Sequence, residues 1–346
     1  MRHKIGITIG DPAGIGPEVA LKALHNRCIY DLAIPILIGD RVALEQTADI
    51  LNIPNSQLTE ISTPFQAQGI YGQYEYINLD KLKRGEYQQG KVAACCGEAA
   101  FSYIERAISL ALNQQLSAIV TAPINKEAVQ LAGYSFPGHT EILAHYCNVD
   151  DFAMVLIASN LRVIHVTTHM SMQQVCTTLS IERVYDTIRL ADETCRNMGV
   201  NGTIAVAGFN PHASENSLFG DEEAKFIIPA VEKAQGEGID VEGPIPADTV
   251  FAKALGGRYT MVVAIYHDQG HIPVKLAGFK YDEQTGNFNE VGGINCTVGL
   301  PIIRTSVDHG TAFDIAGKGI ANDQSMTDAI LLAAIMAEKR EDTNAD

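Results

Sequence analysis

Short apolar runs alternate with longer amphipathic stretches along the chain. The runs Lys4–Ile9, Ile34–Ile38, Ala118–Thr121, Ala153–Ala158, Arg162–Thr167, Thr203–Ala207 and Met261–Tyr266 are rich in β-branched residues and are followed within two residues by Gly, Asn, Pro or His. Uninterrupted apolar runs of this length suit parallel strands covered on both faces. Between them, Pro17 can open a helix over Glu18–Leu24. Gly97–Leu112 sets Ala100, Ile104, Ala107, Ile108 and Ala111 on one face, and Ser180 can cap Ile181–Met198. Ser325 with Asp328 reads as a capping box for a last helix through Ala337. Asn52–Asp80 and Asp282–Gly293 lack periodicity and read as loops, and the closing EDTNAD as a frayed end. Strand–helix alternation predicts an α/β fold with a largely parallel central sheet.

At 346 residues the chain suits one large α/β domain or two lobes. A net charge of -16 without a basic cluster argues against nucleic acid. No run is long and apolar enough to span a bilayer, and the N-terminus reads as a first strand rather than an export signal. Seven cysteines, with no CxxC, fit a reducing cytoplasmic setting better than a disulfide framework. The Cys95-Cys96 pair reads as packing.

Three histidines, His169, His212 and His267, follow three separate strand candidates. Ligands collect at the carboxyl ends of strands in α/β sheets, so these imidazoles could meet around a divalent cation or could serve only the fold. His271 reads as a residue supporting that set rather than a ligand, and His3, His25, His145 and His165 as structural. No GxGxxG is present. Gly85–Lys91 matches GxxxxGK, but Val92 replaces the required hydroxyl. Gly10–Glu18 (GDPAGIGPE) and Asp308–Lys318 (DHGTAFDIAGK) are better anion-binding candidates, or tight turns.

These segments, with TAPINKE (121–127), PGHTE (137–141), VTTH (166–169), NPHASEN (210–216), GPIPADT (243–249), YHDQG (266–270) and GLPIIRTSVDHGTAFDIAG (299–317), give the chain an end-to-end resemblance to the 4-hydroxythreonine-4-phosphate dehydrogenase family of pyridoxal phosphate synthesis. Its first and last motifs are also similar to segments of isocitrate and isopropylmalate dehydrogenases. The resemblance implies their two-lobed fold: residues 1–130 with 305–346 as a cofactor-side lobe, and 131–304 as a metal, substrate and dimer lobe. It implies a cytoplasmic homodimer with a shared active site, binding neither nucleic acid nor membrane. His169, His212 and His267 would hold a divalent metal (Zn, Co, Mg or Mn), one of the three coming from the partner subunit. His139, Thr140, Lys275, Asn295 and Arg304 would contact substrate. Lys275, Asp248 and Asp268 are the implied catalytic groups, and Asp308, His309, Gly310, Thr311 and Ala312 would bind NAD, with NADP as the alternative.

The implied reaction is NAD- and metal-dependent oxidation, with decarboxylation, of 4-phosphohydroxy-L-threonine. HIPVK after YHDQG, the second half of NPHASENSLFGDEE and the segment before Ile294 are more similar to a branch acting on D-threonate or D-erythronate 4-phosphate. A further branch acts on aromatic dihydrodiols. Two other classes compete: a metal-dependent hydrolase, from His267-Asp268-x-x-His271, and a non-catalytic two-lobed binding protein.

Overall fold

The computed structural model describes residues 2–283 and 287–345. They fall into two compact units, Met1–Asp150 with Leu300–Asp346, and Asp151–Gly299. In chain order the strands are β1 (His3–Thr8), β2 (Ala33–Gly39), β3 (Leu58–Glu60), β4 (Tyr74–Asn78), β5 (Ala118–Thr121), β6 (Ala153–Ala158), β7 (Leu161–His165), β8 (Ile204–Ala207), β9 (Val241–Ile245), β10 (Met261–Ala264), β11 (Phe279–Asp282), β12 (Asn287–Val291), β13 (Ile294–Val298) and β14 (Ile303–Val307).

The first unit carries a parallel sheet in the order β3-β4-β2-β1-β5-β14. Ile5, Ile7, Ile36, Leu37, Ile119 and Val120 are fully buried, as strands covered on both faces require. The helix Ala94–Leu112 buries Ala100, Ile104, Ala107 and Ile108, the stripe its spacing predicts. Each buried Ile or Leu side chain contributes about 1.5–3 kcal/mol to the core.

The second unit orders its strands β13-β6-β7-β10-β8-β9. β13, β6 and β7 pair antiparallel, and β7, β10, β8 and β9 pair parallel. The helix Ile181–Asn197 is capped as expected: the Ser180 hydroxyl accepts from the Arg183 N–H at 3.2 Å. Val184, Ile188 and Ala191 face its core. The fold is thus α/β with mainly parallel pairing.

Several expectations need correction. Asn52–Asp80 contains β3 and β4, whose Tyr74 and Tyr76 are buried although the segment lacks a clean alternation. Within Asp282–Gly293, Asn287–Val291 forms β12, which pairs antiparallel with β11, where a loop was expected. Residues 284–286 of that stretch lie outside the described residues. Ser325 is not the cap of the last helix, which runs Gln324–Ala345, past Ala337 and through all of EDTNAD but its last residue. Its hydroxyl instead accepts from the Asp308 N–H at 3.3 Å. Asp346 lies outside the described residues.

Candidate active site

In the second unit, β7 and β10 end at His165 and Ala264, so His169 and His267 stand a few residues beyond their strands. His267 opens the helix His267–Gly278. Thr168, His169, Tyr266, His267 and Asp268 help to line a cavity of about 530 Å³. The ring centroids of His169 and His267 are 5.8 Å apart. Asp268 Oδ1 lies 2.7 Å from His267 Nδ1. A carboxylate at Nδ1 fixes the tautomer that presents Nε2 to a cation. Two imidazoles on one cavity, one of them backed by a carboxylate, fit a divalent metal.

His212 is delivered differently. After β8 the chain enters a left-handed turn: the φ angles from His212 to Ser217 are 54, 52, 68, 44, 58 and 68°. Each non-glycine residue there costs about 1–2 kcal/mol, so the surroundings must enforce the turn. Asn210 does much of this, its N–H donating to Glu223 Oε1 at 2.7 Å and its amide to Glu222 and Glu223 at 2.7 and 2.8 Å. The Ser214 hydroxyl donates to the Gly220 carbonyl. His212 Nδ1 stands 4.0 Å from Asp248 Oδ2. Among the described residues of this one chain, no three His, Cys, Asp or Glu side chains are grouped to hold a metal. The chain therefore brings His169 and His267 together but does not add His212 to them. Of the remaining candidates in this unit, Lys275 sets its Nζ 4.3 Å above the Phe279 ring, and Asn295 lies on β13 opposite Leu156 of β6.

In the first unit, β5 and β14 bring Thr121 and Arg304 together. Arg304 is 3% exposed, and its Nη2 donates to Thr121 Oγ1 at 2.7 Å. His139 and Thr140 open the helix His139–Cys147. Burial drives the His139 imidazole well below its usual range, with Arg304 and Lys126 adding to the push. His139 is therefore neutral at physiological pH, and its Nε2 is sealed from solvent with no partner. A neutral ring beside a buried guanidinium is suited to an anion such as a carboxylate or phosphate.

The two glycine-rich segments meet in this unit. The Ile15 N–H donates to the Thr311 carbonyl at 3.0 Å. A Cβ on Gly14 would sit 2.9 Å from Thr311, and Gly10, at φ 69°, would meet the Pro123 carbonyl at 2.3 Å. Both positions need glycine. A Cβ on Gly310 would meet nothing within 4 Å, so the backbone at that one position borders open space. Asp11, missed in the sequence, is completely buried, with Oδ1 accepting from the Ala13 N–H at 2.8 Å. Burial raises its carboxyl to about 6. TAPINKE and GDPAG contained the signal, because both place polar residues directly after apolar strands.

A family model described as pyridoxal phosphate biosynthetic protein PdxA matches residues 31–333. The chain belongs to the PdxA family. It is 46% identical over 338 residues to D-threonate 4-phosphate dehydrogenase of Cupriavidus necator, covering 97% of this chain and 98% of that one. It is similar to a solved 4-hydroxythreonine-4-phosphate dehydrogenase of Burkholderia phymatum, with TM-score 0.83, 43% identity and coverage of 97% and 98%. A terephthalate 1,2-cis-dihydrodiol dehydrogenase of Burkholderia xenovorans is more distant, with TM-score 0.67, 28% identity and the same coverage of each chain. PdxA membership sets aside the hydrolase and binding-protein readings. No helix among the described residues is long and apolar enough to cross a membrane.

Proposed function

We propose that this PdxA-family chain is an oxidoreductase acting on the CH–OH group of a 4-phosphorylated hydroxy acid, with D-threonate 4-phosphate as first substrate. The reading rests on the pairing of His169 with His267, backed by Asp268, in a chain that also buries Arg304 beside a neutral His139. D-Threonate 4-phosphate comes first because full-length relatives at 46% identity carry that name. A second reading, 4-phosphohydroxy-L-threonine with decarboxylation in pyridoxal phosphate synthesis, is supported by the names of solved relatives at 43–44% identity.

In this reading bound NAD supplies the hydride acceptor, and a divalent cation on the histidines supplies the charge that acidifies the substrate hydroxyl. His169 and His267 would be two of its ligands. His212 of a second copy in a homodimer would complete the set. Arg304, His139, Thr140, Lys275 and Asn295 hold the anionic ends of the substrate. Asp268 keeps the Nδ1 proton of His267. Asp248 of the second copy, which stands 4.0 Å from His212 in its own chain, takes the hydroxyl proton as the C–H electron pair leaves as hydride. Asp308–Ala312 line the dinucleotide. The cofactor-side role falls to the first unit and the metal role to the second, in a cytoplasmic enzyme.

The test is NADH formation on D-threonate 4-phosphate, D-erythronate 4-phosphate and 4-phosphohydroxy-L-threonine, with and without a chelator. Chelator-sensitive turnover of D-threonate 4-phosphate alone is expected. Turnover of the amino acid alone establishes the second reading. No turnover of any of the three overturns both.

A further inference from the structure

His267 does not stand alone in its helix. His271 follows it by one turn, the spacing that stacks side chains on a helix surface. The two imidazoles are nearly parallel, at 13°, with centroids 3.6 Å apart. His271 Nδ1 lies 2.9 Å from the His267 carbonyl oxygen, which orients the second ring as a donor to the first residue's backbone. Behind it, at 4.7 Å, stands His165, 1% exposed, with Nδ1 3.3 Å from the Met154 carbonyl. The intervening residue is Gly270, and a Cβ there would strike His165 Nε2 at 2.3 Å. The glycine thus leaves the space into which the buried ring fits.

These contacts form a row of imidazoles from the core to the cavity: His165, His271, His267 and then His169. A half-exposed imidazole with Asp268 as its sole anchor would rotate about χ2, because that torsion is broad. The stack removes this freedom by covering one face of the ring.

We propose that His271 is a positioning residue that holds the imidazole plane of His267, with His165 as its buried backstop. The proposal rests on the reading of His267 as a metal ligand. It assigns His271 no coordinating role. It extends the family chemistry by a residue that contacts His165, His267 and the His267 backbone in the second unit.

The experiment uses the full chain, stripped of metal and titrated with Co²⁺, with affinity read by calorimetry and geometry by the visible ligand-field bands. His271→Leu is expected to weaken Co²⁺ by about 10–100-fold, the usual effect of losing a residue that orients a ligand. His271→Phe keeps a flat ring over His267 and is expected to stay within about threefold of wild type. Thermal unfolding checks that both variants fold.

A second readout needs no metal: the downfield Nδ1 proton of His267, held on Asp268, in ¹⁵N-histidine-labelled protein. It is expected to persist in His271→Phe and broaden away in His271→Leu. Wild-type affinity, bands and proton signal in His271→Leu overturn the proposal, as does a His271→Phe variant that loses as much as His271→Leu. Normal Co²⁺ binding by His267→Ala sinks the ligand reading instead, and the proton signal then decides the positioning role by itself.

Discussion

Asp11 joins the loop after β1 to the loop after β5, and it does so with a carboxyl the protein would rather keep neutral. Its N–H donates to the Pro123 carbonyl at 2.9 Å, and Oδ1 accepts from Ala13, while Oδ2 is buried with no partner. Burial is the main cause of the rise from 3.8 to about 6, only partly offset by backbone donors at Ala13 and Asn125. A folded-state pKa above the unfolded one stabilises at low pH. That contribution is complete below about 3.8 and is lost as pH rises through about 6. The shift corresponds to about 3 kcal/mol of stability forgone at pH 7. Asp11→Asn keeps an oxygen for Ala13 and removes the charge. The buried amide N–H group it introduces costs about 1–3 kcal/mol, but equally at every pH. Urea unfolding of both proteins should therefore show Asp11→Asn gaining about 3 kcal/mol on wild type between about pH 4 and pH 8. A difference that stays flat, or that moves the other way, would refute the buried-acid argument. A stable variant with weakened NAD binding would show what the strained carboxyl is kept for, since functional loops often retain groups that cost stability.

Other sites give further tests. Gly97→Ala should destabilise by about 1–2 kcal/mol in urea unfolding: a Cβ there lies 2.0 Å from the Ala128 carbonyl of the helix Lys126–Leu131, and overpacking outweighs the roughly 1 kcal/mol of helix propensity gained. Gly236→Ala, in a helix with nothing within 4 Å of the new methyl, should be neutral or stabilising in the same assay. Arg304→Gln should cut kcat/KM by about 10–150-fold, the worth of one charged hydrogen bond, with the loss mainly in KM by steady-state kinetics. His139 has a lowered pKa, so its neutral form adds stability above its ordinary value of 6.5 that is lost on acidification. His139→Gln should flatten the decline in Tm below about pH 6.

What the sequence showed and hid follows from where each signal is written. Strands β1, β2, β5, β6, β7, β8 and β10 are legible because a strand buried on both faces has to be apolar at nearly every position. β14 is equally buried, yet it reads Ile-Arg-Thr-Ser-Val, because its Arg304 and Thr305 are satisfied by long-range partners, Thr121 and the Ala329 carbonyl. No local pattern announces such pairs. β9 is masked by its Gly243-Pro244, and β13 by the polar Asn295 and Thr297. Ser325 misleads for a related reason: its hydroxyl serves Asp308, so a local capping motif is spent on a distant backbone. The histidines divide the same way. His267 and His271 stack because four residues in a helix is a fixed distance, and that could be read from spacing. His212 could not, since the left-handed turn that presents it contains no glycine and depends on Glu222 and Glu223 gripping Asn210 from further along the chain. A turn of about 1–2 kcal/mol per residue survives only where neighbours enforce it, and those neighbours are not selected for the turn's own propensity. Sequence reasoning therefore names His212 from its place after a strand but does not reveal the strained turn that presents it. That makes the His212–Ser217 turn the part of this site whose geometry most needs the second unit's full set of contacts.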